Sequence, residues 1–205
     1  MPTSLSRLLA LAALATGCAS SGPTPESRKA IESVGEVRQQ LARVGALIGR
    51  TQTHLARLAT HEDLRDAFEA FGDSLEELEA EAEVAARRSV DMTERAHEYL
   101  AAWERQLDRV GNQDVRSCAA ERRQAVWASF QRIADASRRA RDDYAPYLRD
   151  LRDVHIALAN DLTRPGVEGL RPTFARIERE ARRLVGHLDE VIGEIDGVQG
   201  GMSID

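Results

Sequence analysis

The chain has 205 residues and an acidic balance, with 34 Asp and Glu against 28 Lys and Arg and a formal net charge of −6. Its basic residues are scattered among carboxylates and form no patch of the kind that nucleic acids require, which argues against that class of partner. Only 4% of the residues are aromatic, so the composition favours a thin helical bundle built from Leu, Ala and Val.

Residues 1–18 predict a lipoprotein signal. Arg7 supplies a positive start, residues 8–13 form a short apolar run, and residues 14–18 read Leu-Ala-Thr-Gly-Cys. This order is typical of a secretory signal, and the cysteine makes it a lipobox, so we expect cleavage before Cys18 and a diacylglycerol on its thiol. A cleaved signal with a chance cysteine is the alternative. The apolar run is far below the roughly 20 residues that span a bilayer.

The residues after Cys18 predict where the anchor lies. Residues 19–25 are small, polar or Pro, which is the composition of a flexible tether. Several acyl chains on one cysteine hold a protein firmly on a membrane. Ala19 stands where an Asp commonly retains a lipoprotein in the inner membrane, so we expect an outer-membrane lipoprotein facing the periplasm. The inner membrane is the less favoured alternative.

After the tether, apolar residues recur at alternating spacings of three and four, as in coiled-coil helices. The first helix is predicted from about Pro25 or Ser27 to about Thr60, and the second from about His61 to about Val110. The core-facing positions predicted at the end of the second helix are Ala96, Tyr99, Trp103, Gln106 and Val110.

The second half of the chain repeats this pattern. Residues 111–114 have turn chemistry, and the third helix is predicted from near Ser117, a candidate N-cap, to about Thr163. Pro146 lies inside it and removes a backbone donor, so we expect a bend there. Residues 164–166, Arg-Pro-Gly, read as a stop signal. The fourth helix is predicted from between Glu168 and Pro172 to about Val198, with Gly200-Gly201 ending it.

These elements predict an all-α fold, an elongated antiparallel helical bundle or coiled coil of about four helices. The second and third helices are each roughly 70 Å long, and their short connection makes them antiparallel. Four such apolar seams can close one bundle. The resulting division is 1–17 for the signal peptide, 18–26 for the lipidated cysteine and tether, 27–200 for the helical domain and 201–205 for a disordered tail.

The polar residues give little basis for catalysis, which needs polar groups that converge in a pocket. We therefore predict no catalytic residues, no metal site and no cofactor, and a protein that is not an enzyme. Cys118 is the one cysteine left after lipidation. Near a helix start its thiol can be reactive or pair with another chain. The alternative is a small residue tolerated at a helix end.

Trp103 and Trp127 lie on opposite sides of the turn between the second and third helices. In an antiparallel hairpin they could face one another a few turns from its tip. We expect them to pack the distal end of the bundle, and an aromatic cluster beside an exposed loop can also anchor a partner. Both interpretations stay open at this point.

Three stretches resemble an uncharacterised family of bacterial lipoproteins, catalogued as domain of unknown function 2959. They are Trp103-Glu104-x-x-Leu107, Arg122-Arg123, and Pro146-x-Leu148-x-x-Leu151-x-Asp153 with Leu158 and Leu162 behind it. Where the family typically runs into a Leu-Lys-His-Asn-Leu-Asn-like sequence, residues 158–163 keep only the leucines and the general polarity. The resemblance implies a lipid-anchored helical protein and brings no known activity.

These inferences predict a cell-envelope protein that is anchored to the membrane through Cys18 and serves as a scaffold or interaction partner for another envelope protein. Oligomerisation stays open. One alternative is a carrier of lipid or another hydrophobic ligand, because small residues in the seams could let helices separate. The other is a thiol-based stress sensor that acts through Cys118. The small seam residues are Ala82, Ala85, Ser89, Ala96, Ser137 and Ala140.

Overall fold

The computed structural model describes residues 24–202, with side chains up to residue 200, so the predicted signal, Cys18 and residues 203–205 lie outside the described residues. Every regular element in this range is an α-helix. The helices are α1 (Pro25–Thr60), α2 (Leu64–Leu107), α3 (Gln113–Asn160), α4 (Arg164–Gly169) and α5 (Arg171–Met202). The predicted all-α helical bundle is confirmed.

Short polar side chains start the three N-terminal helices, because each accepts hydrogen bonds from backbone N–H groups that the first turn leaves free. Thr24 caps α1, Asp63 caps α2 and Asn112 caps α3. The prediction that Ser117 caps the third helix is wrong. The Asn112 side chain accepts from two free N–H groups of the first turn at 3.0 and 3.2 Å, so the N-cap lies five residues earlier than predicted and the helix begins at Gln113.

The end of α2 also differs from the prediction. The helix stops at Leu107, and the N–H of Val110 donates to the Leu107 carbonyl across a tight turn at 3.0 Å. Gln106 is exposed, whereas Leu100 and Leu107 are buried. A straight α-helix drifts relative to a strict heptad repeat, and near the end of α2 Leu107 is buried in place of Gln106, while Tyr99 and Trp103 are partly buried against the core.

A fifth, short helix occupies the predicted stop signal. The Thr163 hydroxyl accepts from the N–H of Gly166 at 3.2 Å and starts α4. Pro165 lies in its first turn, where a missing N–H costs no intrahelical bond. α5 then continues through Gly200 to Met202, past its predicted end. Pro146 lies inside α3, which is helical on both sides of it, and the expected bend stays a prediction.

The four long helices pack in a ring in the order α1, α2, α3, α5. Neighbours run antiparallel: Arg57 pairs with Asp66 beside the turn that joins α1 to α2, and Arg43 pairs with Glu81 farther along both helices. Between α3 and α5 the ion pairs are Arg132–Glu194, Arg139–Glu190 and Arg176–Asp150. The α1–α2 interface is the most extensive of the four and the α2–α3 interface the least.

The core is a column of apolar side chains along the axis of this ring. Its largest fully buried members are Phe71, Tyr147, Ile48, Leu55, Leu58, Leu78, Ile133, Leu151, Leu158, Ile177, Leu184 and Ile195. α3 has 48 residues and is therefore about 72 Å long. Within residues 24–202 no helix combines the length and the apolar character that crossing a membrane requires.

Candidate functional site: a cleft between two long helices

A cleft of about 260 Å³ opens between α2 and α3, in the middle of the bundle. Side chains of all four long helices line it, so it reaches the central core. Its back wall consists of Leu41 and Val44 of α1 and Leu184, Leu188 and Val191 of α5. The cleft therefore offers an apolar interior that is open to solvent on one side.

Small residues on α2 and α3 create this cleft. The facing positions are Ala82, Ala85, Ala86, Ser89, Ser137 and Ala140. Protein interiors are normally close-packed, and two helices whose facing side chains end at Cβ or Oγ leave volume that larger residues would fill. Five of the six small residues singled out in the sequence line the cleft, and Ala96 is buried elsewhere in the core.

The rim of the cleft carries four charged residues, which differ in whether they have an ion-pair partner. Arg152 binds Glu79 through two hydrogen bonds of 2.7 and 2.9 Å. A carboxylate oxygen of Glu83 lies 3.7 Å from a guanidinium nitrogen of Arg87. Arg141 also lines the cleft, and within the described residues it forms no hydrogen bond or ion pair. Arg141 is therefore the rim cation that is free to meet a ligand.

Tyr144 lies one helical turn beyond Arg141 on the cleft wall. Its hydroxyl is buried and has no hydrogen-bond partner among the described residues. Burial raises the pKa of Tyr144 well above its ordinary value, and the nearby carboxylate of Glu79 adds to the rise. The hydroxyl thus stays protonated and remains an unsatisfied donor, a state that is costly for a buried polar group.

Two further grooves continue the cleft along the same face. One, of about 420 Å³, shares Ser89, Ser137 and Arg141 with it and includes the exposed Val90. The other, of about 220 Å³, shares Glu79 and Arg152 with it. The side chains that line both grooves all belong to α2 and α3, so the face between these two helices is open over much of its length.

Gly72 provides room in the second of these grooves. A Cβ at this position would lie 3.1 Å from Nε2 of His155, which stacks on Phe68 at a centroid distance of 4.7 Å. Ile156, on the next position of α3, is 60% exposed. Glycine therefore lets the imidazole fill the space between α2 and α3 at this level.

The structure gives Trp103 and Trp127 different ring partners. Trp103 packs on Tyr99 at 5.6 Å, and Trp127 packs on His97 at 5.1 Å. Both tryptophans are partly buried against the core. The pair therefore stabilises the bundle near the α2–α3 turn through two separate aromatic contacts.

Cys118 is exposed and is a free thiol. Because α3 begins at Gln113, Cys118 lies in the second turn, where the effect of the helix dipole has largely faded. Among the described residues, no group of three or more His, Cys, Asp or Glu side chains is placed to hold a metal ion.

Sequence reasoning missed Arg141 and Tyr144 as cleft residues. Tyr144 follows Ala140 and precedes Tyr147 in the four-three spacing of the third helix, which predicts only a core position for it, and Arg141 lies outside that spacing. The small residues are the available signal, but their spacing on one helix does not reveal which helix they face.

The model of a family described as "Protein of unknown function (DUF2959)" matches residues 27–198. The match starts inside α1 and ends inside α5, so it includes every residue that lines the cleft. No curated protein matches the chain.

Proposed function

Since the chain belongs to the DUF2959 family of proteins of unknown function, we propose its role from its architecture: a lipid-anchored envelope protein that acts by binding and not by catalysis. Cys18 carries the anchor on the outer membrane, and the helical bundle faces the periplasm as a scaffold or interaction module for another envelope protein. The inner membrane is the alternative site of the anchor.

The position of the N-terminal end of α1 carries this proposal. Thr24 and Ser27 line one small cavity with Tyr99, Trp103 and Gln106. The tether therefore enters at the same end of the bundle as the α2–α3 turn. The sequence predicts that end to be distal, and this geometry instead favours it as the anchored end. Seven residues, 18–24, extend over at most about 25 Å, which keeps this end near the membrane.

The opposite end is then the one available to a partner across the periplasm. α1 has 36 residues and holds that end about 54 Å from the anchored one. It consists of the α1–α2 turn and α4. Arg164 donates to the carbonyls of His61 and Glu62, which ties the two segments together. A fixed, polar end of this kind suits a scaffold.

Photocrosslinking in intact cells tests the proposal. A photoreactive residue replaces Glu62 at the far end or, as the matched position, Gln113 at the anchored end; both are exposed. We expect one reproducible protein adduct from position 62 and lipid adducts from position 113. Loss of membrane association in Cys18→Ala checks the anchor. The absence of any protein adduct from either position would overturn the scaffold role.

A second candidate function is binding of a hydrophobic ligand, which the apolar cleft favours. Ligand sites are typically concave, mostly apolar and edged by a few polar groups, and the cleft has this composition. Copurification of lipid with the chain is the simplest check. The thiol-sensor alternative stays a prediction, supported by the exposure of Cys118.

A further inference from the structure

We infer that the cleft between α2 and α3 binds a single-chain alkyl carboxylate, with the chain among the small residues and the carboxylate at Arg141. This inference rests on the hydrophobic-ligand candidate and specifies the class of ligand. Dodecanoic acid is a representative of that class.

The volume of the cleft fits one alkyl chain. An apolar cavity of about 150 Å³ is large enough to bind benzene. By proportion, the 260 Å³ of this cleft accommodate roughly ten carbon atoms. The remaining carbons and the head group would extend toward the rim, where the larger groove begins at Arg141. Two acyl chains on one glycerol exceed this space.

The walls favour a chain over water. Leu41, Leu184, Leu188 and Val191 close the back of the cleft, and alanines line much of its sides. A buried water needs two to four polar partners. The Ser89 hydroxyl already donates to the Ala85 carbonyl at 2.8 Å, so it has no proton left to offer. Filling the cleft with methylene groups removes apolar surface from water.

The polar groups at the rim favour an anionic head. Arg152 is committed to Glu79 through both of its hydrogen bonds, and this pairing offsets the nearest carboxylate charge. Arg141 has no ion pair among the described residues. Glu83, the other carboxylate on the rim, has its own arginine neighbour. Arg141 is therefore the cation on the rim that has no carboxylate partner among the described residues.

Arg141 and Tyr144 are three residues apart on α3 and so lie side by side on the helix surface. The Tyr144 hydroxyl is buried without a partner among the described residues. A ligand oxygen that reaches this hydroxyl can accept its hydrogen bond. The ligand would then satisfy the buried tyrosine donor of the cleft, whereas a neutral alkane would not.

The test is photolabelling of the full chain, held by its own anchor in phosphatidylcholine vesicles, with a diazirine-bearing dodecanoic acid. The same diazirine chain as a methyl ester serves as the uncharged probe. We expect the acid to label peptides that contain residues 82–89 and 137–144. The ester should label them about fivefold less at the same concentration, which corresponds to one exposed charge-assisted contact.

Two pairs of variants give matched controls. Arg141→Gln should reduce acid labelling about fivefold, while Arg149→Gln, an exposed arginine on the same helix, should leave it unchanged. Ala85→Leu fills the cleft and should abolish labelling by both probes. Ala128→Leu, at an exposed position of α3, makes the same substitution outside the cleft and should change nothing. Circular dichroism spectra confirm that each variant is folded.

The outcomes distinguish the binding of any hydrophobic ligand from the binding of a single-chain carboxylate. Equal labelling by acid and ester, unchanged in Arg141→Gln, would leave hydrophobic-ligand binding in place and overturn the carboxylate assignment. Efficient labelling of the same peptides by a two-chain photoreactive phosphatidic acid would overturn the single-chain assignment. If neither probe labels the cleft peptides, both the inference and the hydrophobic-ligand candidate fail. The scaffold role would still depend on the crosslinks from position 62.

Discussion

The two sides of the bundle are built from the same helical repeat and pack differently. Where α1 meets α2 and α5, large aliphatic residues such as Ile48, Leu55 and Leu58 are almost fully buried. Where α2 meets α3, alanine and serine occupy the facing positions and a cleft opens. The period of the apolar residues determines that helices form and pack. The size of those residues determines whether an interface closes.

We call the interfaces of α1 with α2 and α5 the closed side of the bundle. Truncating a large residue there should cause the largest loss of stability. Leu55→Ala removes a side chain that is 2% exposed, and we expect a loss of about 3 kcal/mol in the free energy of unfolding. Leu148→Ala, on the partly buried cleft wall, should lose only about 1 kcal/mol because fewer contacts are removed. Urea denaturation measures both. Equal losses would mean that the two sides are packed alike.

Enlarging an alanine should have opposite effects on the two sides. Ala67 is fully buried in α2, and Ala67→Leu should destabilise by about 2 kcal/mol through overpacking. Ala85→Leu points the same substitution into the open cleft and should stabilise by about 1 kcal/mol through the added buried surface. Thermal unfolding of both variants against the unmodified chain checks the signs. A loss of stability in Ala85→Leu would contradict an open apolar cleft at this position.

The next largest loss of stability is expected at the turn that joins α2 to α3, the two helices on either side of the cleft. Asn112→Ala removes the side chain that caps α3, and we expect a loss of about 1 kcal/mol. Ser117 lies inside the helix, so Ser117→Ala should leave the free energy of unfolding almost unchanged. Chemical denaturation distinguishes them. The reverse order would restore Ser117 as the N-cap.

The smallest effect is a pH dependence on the closed side. The hydrogen bond from Arg38 lowers the pKa of Asp196 below its ordinary value of 3.8. The contribution of this hydrogen bond to the stability of the fold is therefore present above pH 3.8 and is lost as the pH falls through the lowered pKa. We expect Asp196→Asn to reduce the Tm at pH 7 and to reduce it less at pH 2.

Asp189→Asn is the matched control for this measurement. Asp189 is an exposed carboxylate on the same helix, and the residues three and four positions away from it along α5 are uncharged. The variant should match the Tm of the unmodified chain at both pH values. An equal fall in Tm for the two variants at pH 7 would assign the effect to net charge and not to the bond from Arg38.

Much of the fold could be predicted from the sequence because helix formation and the apolar stripe are local properties. The three-four spacing of the first helix predicts eight core positions, and all eight are buried: Val34, Val37, Leu41, Val44, Ile48, Thr51, Leu55 and Leu58. The predictions failed at two places. Asn112 caps α3 earlier in the chain than predicted, and the drift of α2 leaves Gln106 exposed. α4 forms because Thr163 and Pro165 start a turn at residues that resemble a stop signal.

The candidate site was less predictable because it depends on contacts between distant parts of the chain. The small residues on α2 and α3 are visible in the sequence, but the cleft needs them to face one another across a gap. The free state of Arg141 depends on which carboxylates lie nearby, and Glu79 is committed to Arg152, 73 residues away. Likewise, the location of the N-terminal end of α1 beside Tyr99 and Trp103 depends on contacts between distant parts of the chain.

The shared location of the two ends of the chain has a mechanical consequence. Gly35 of α1 lies against Gln199 of α5, so the described N- and C-terminal segments are neighbours. A load applied between these two ends would peel α1 from α5 one turn at a time. A load applied between the N-terminal end of α1 and the α1–α2 turn would instead run along the whole of α1. The buried side chains of α1 would then resist shear together, so the bundle should resist tension along its axis better than tension that separates its two chain ends.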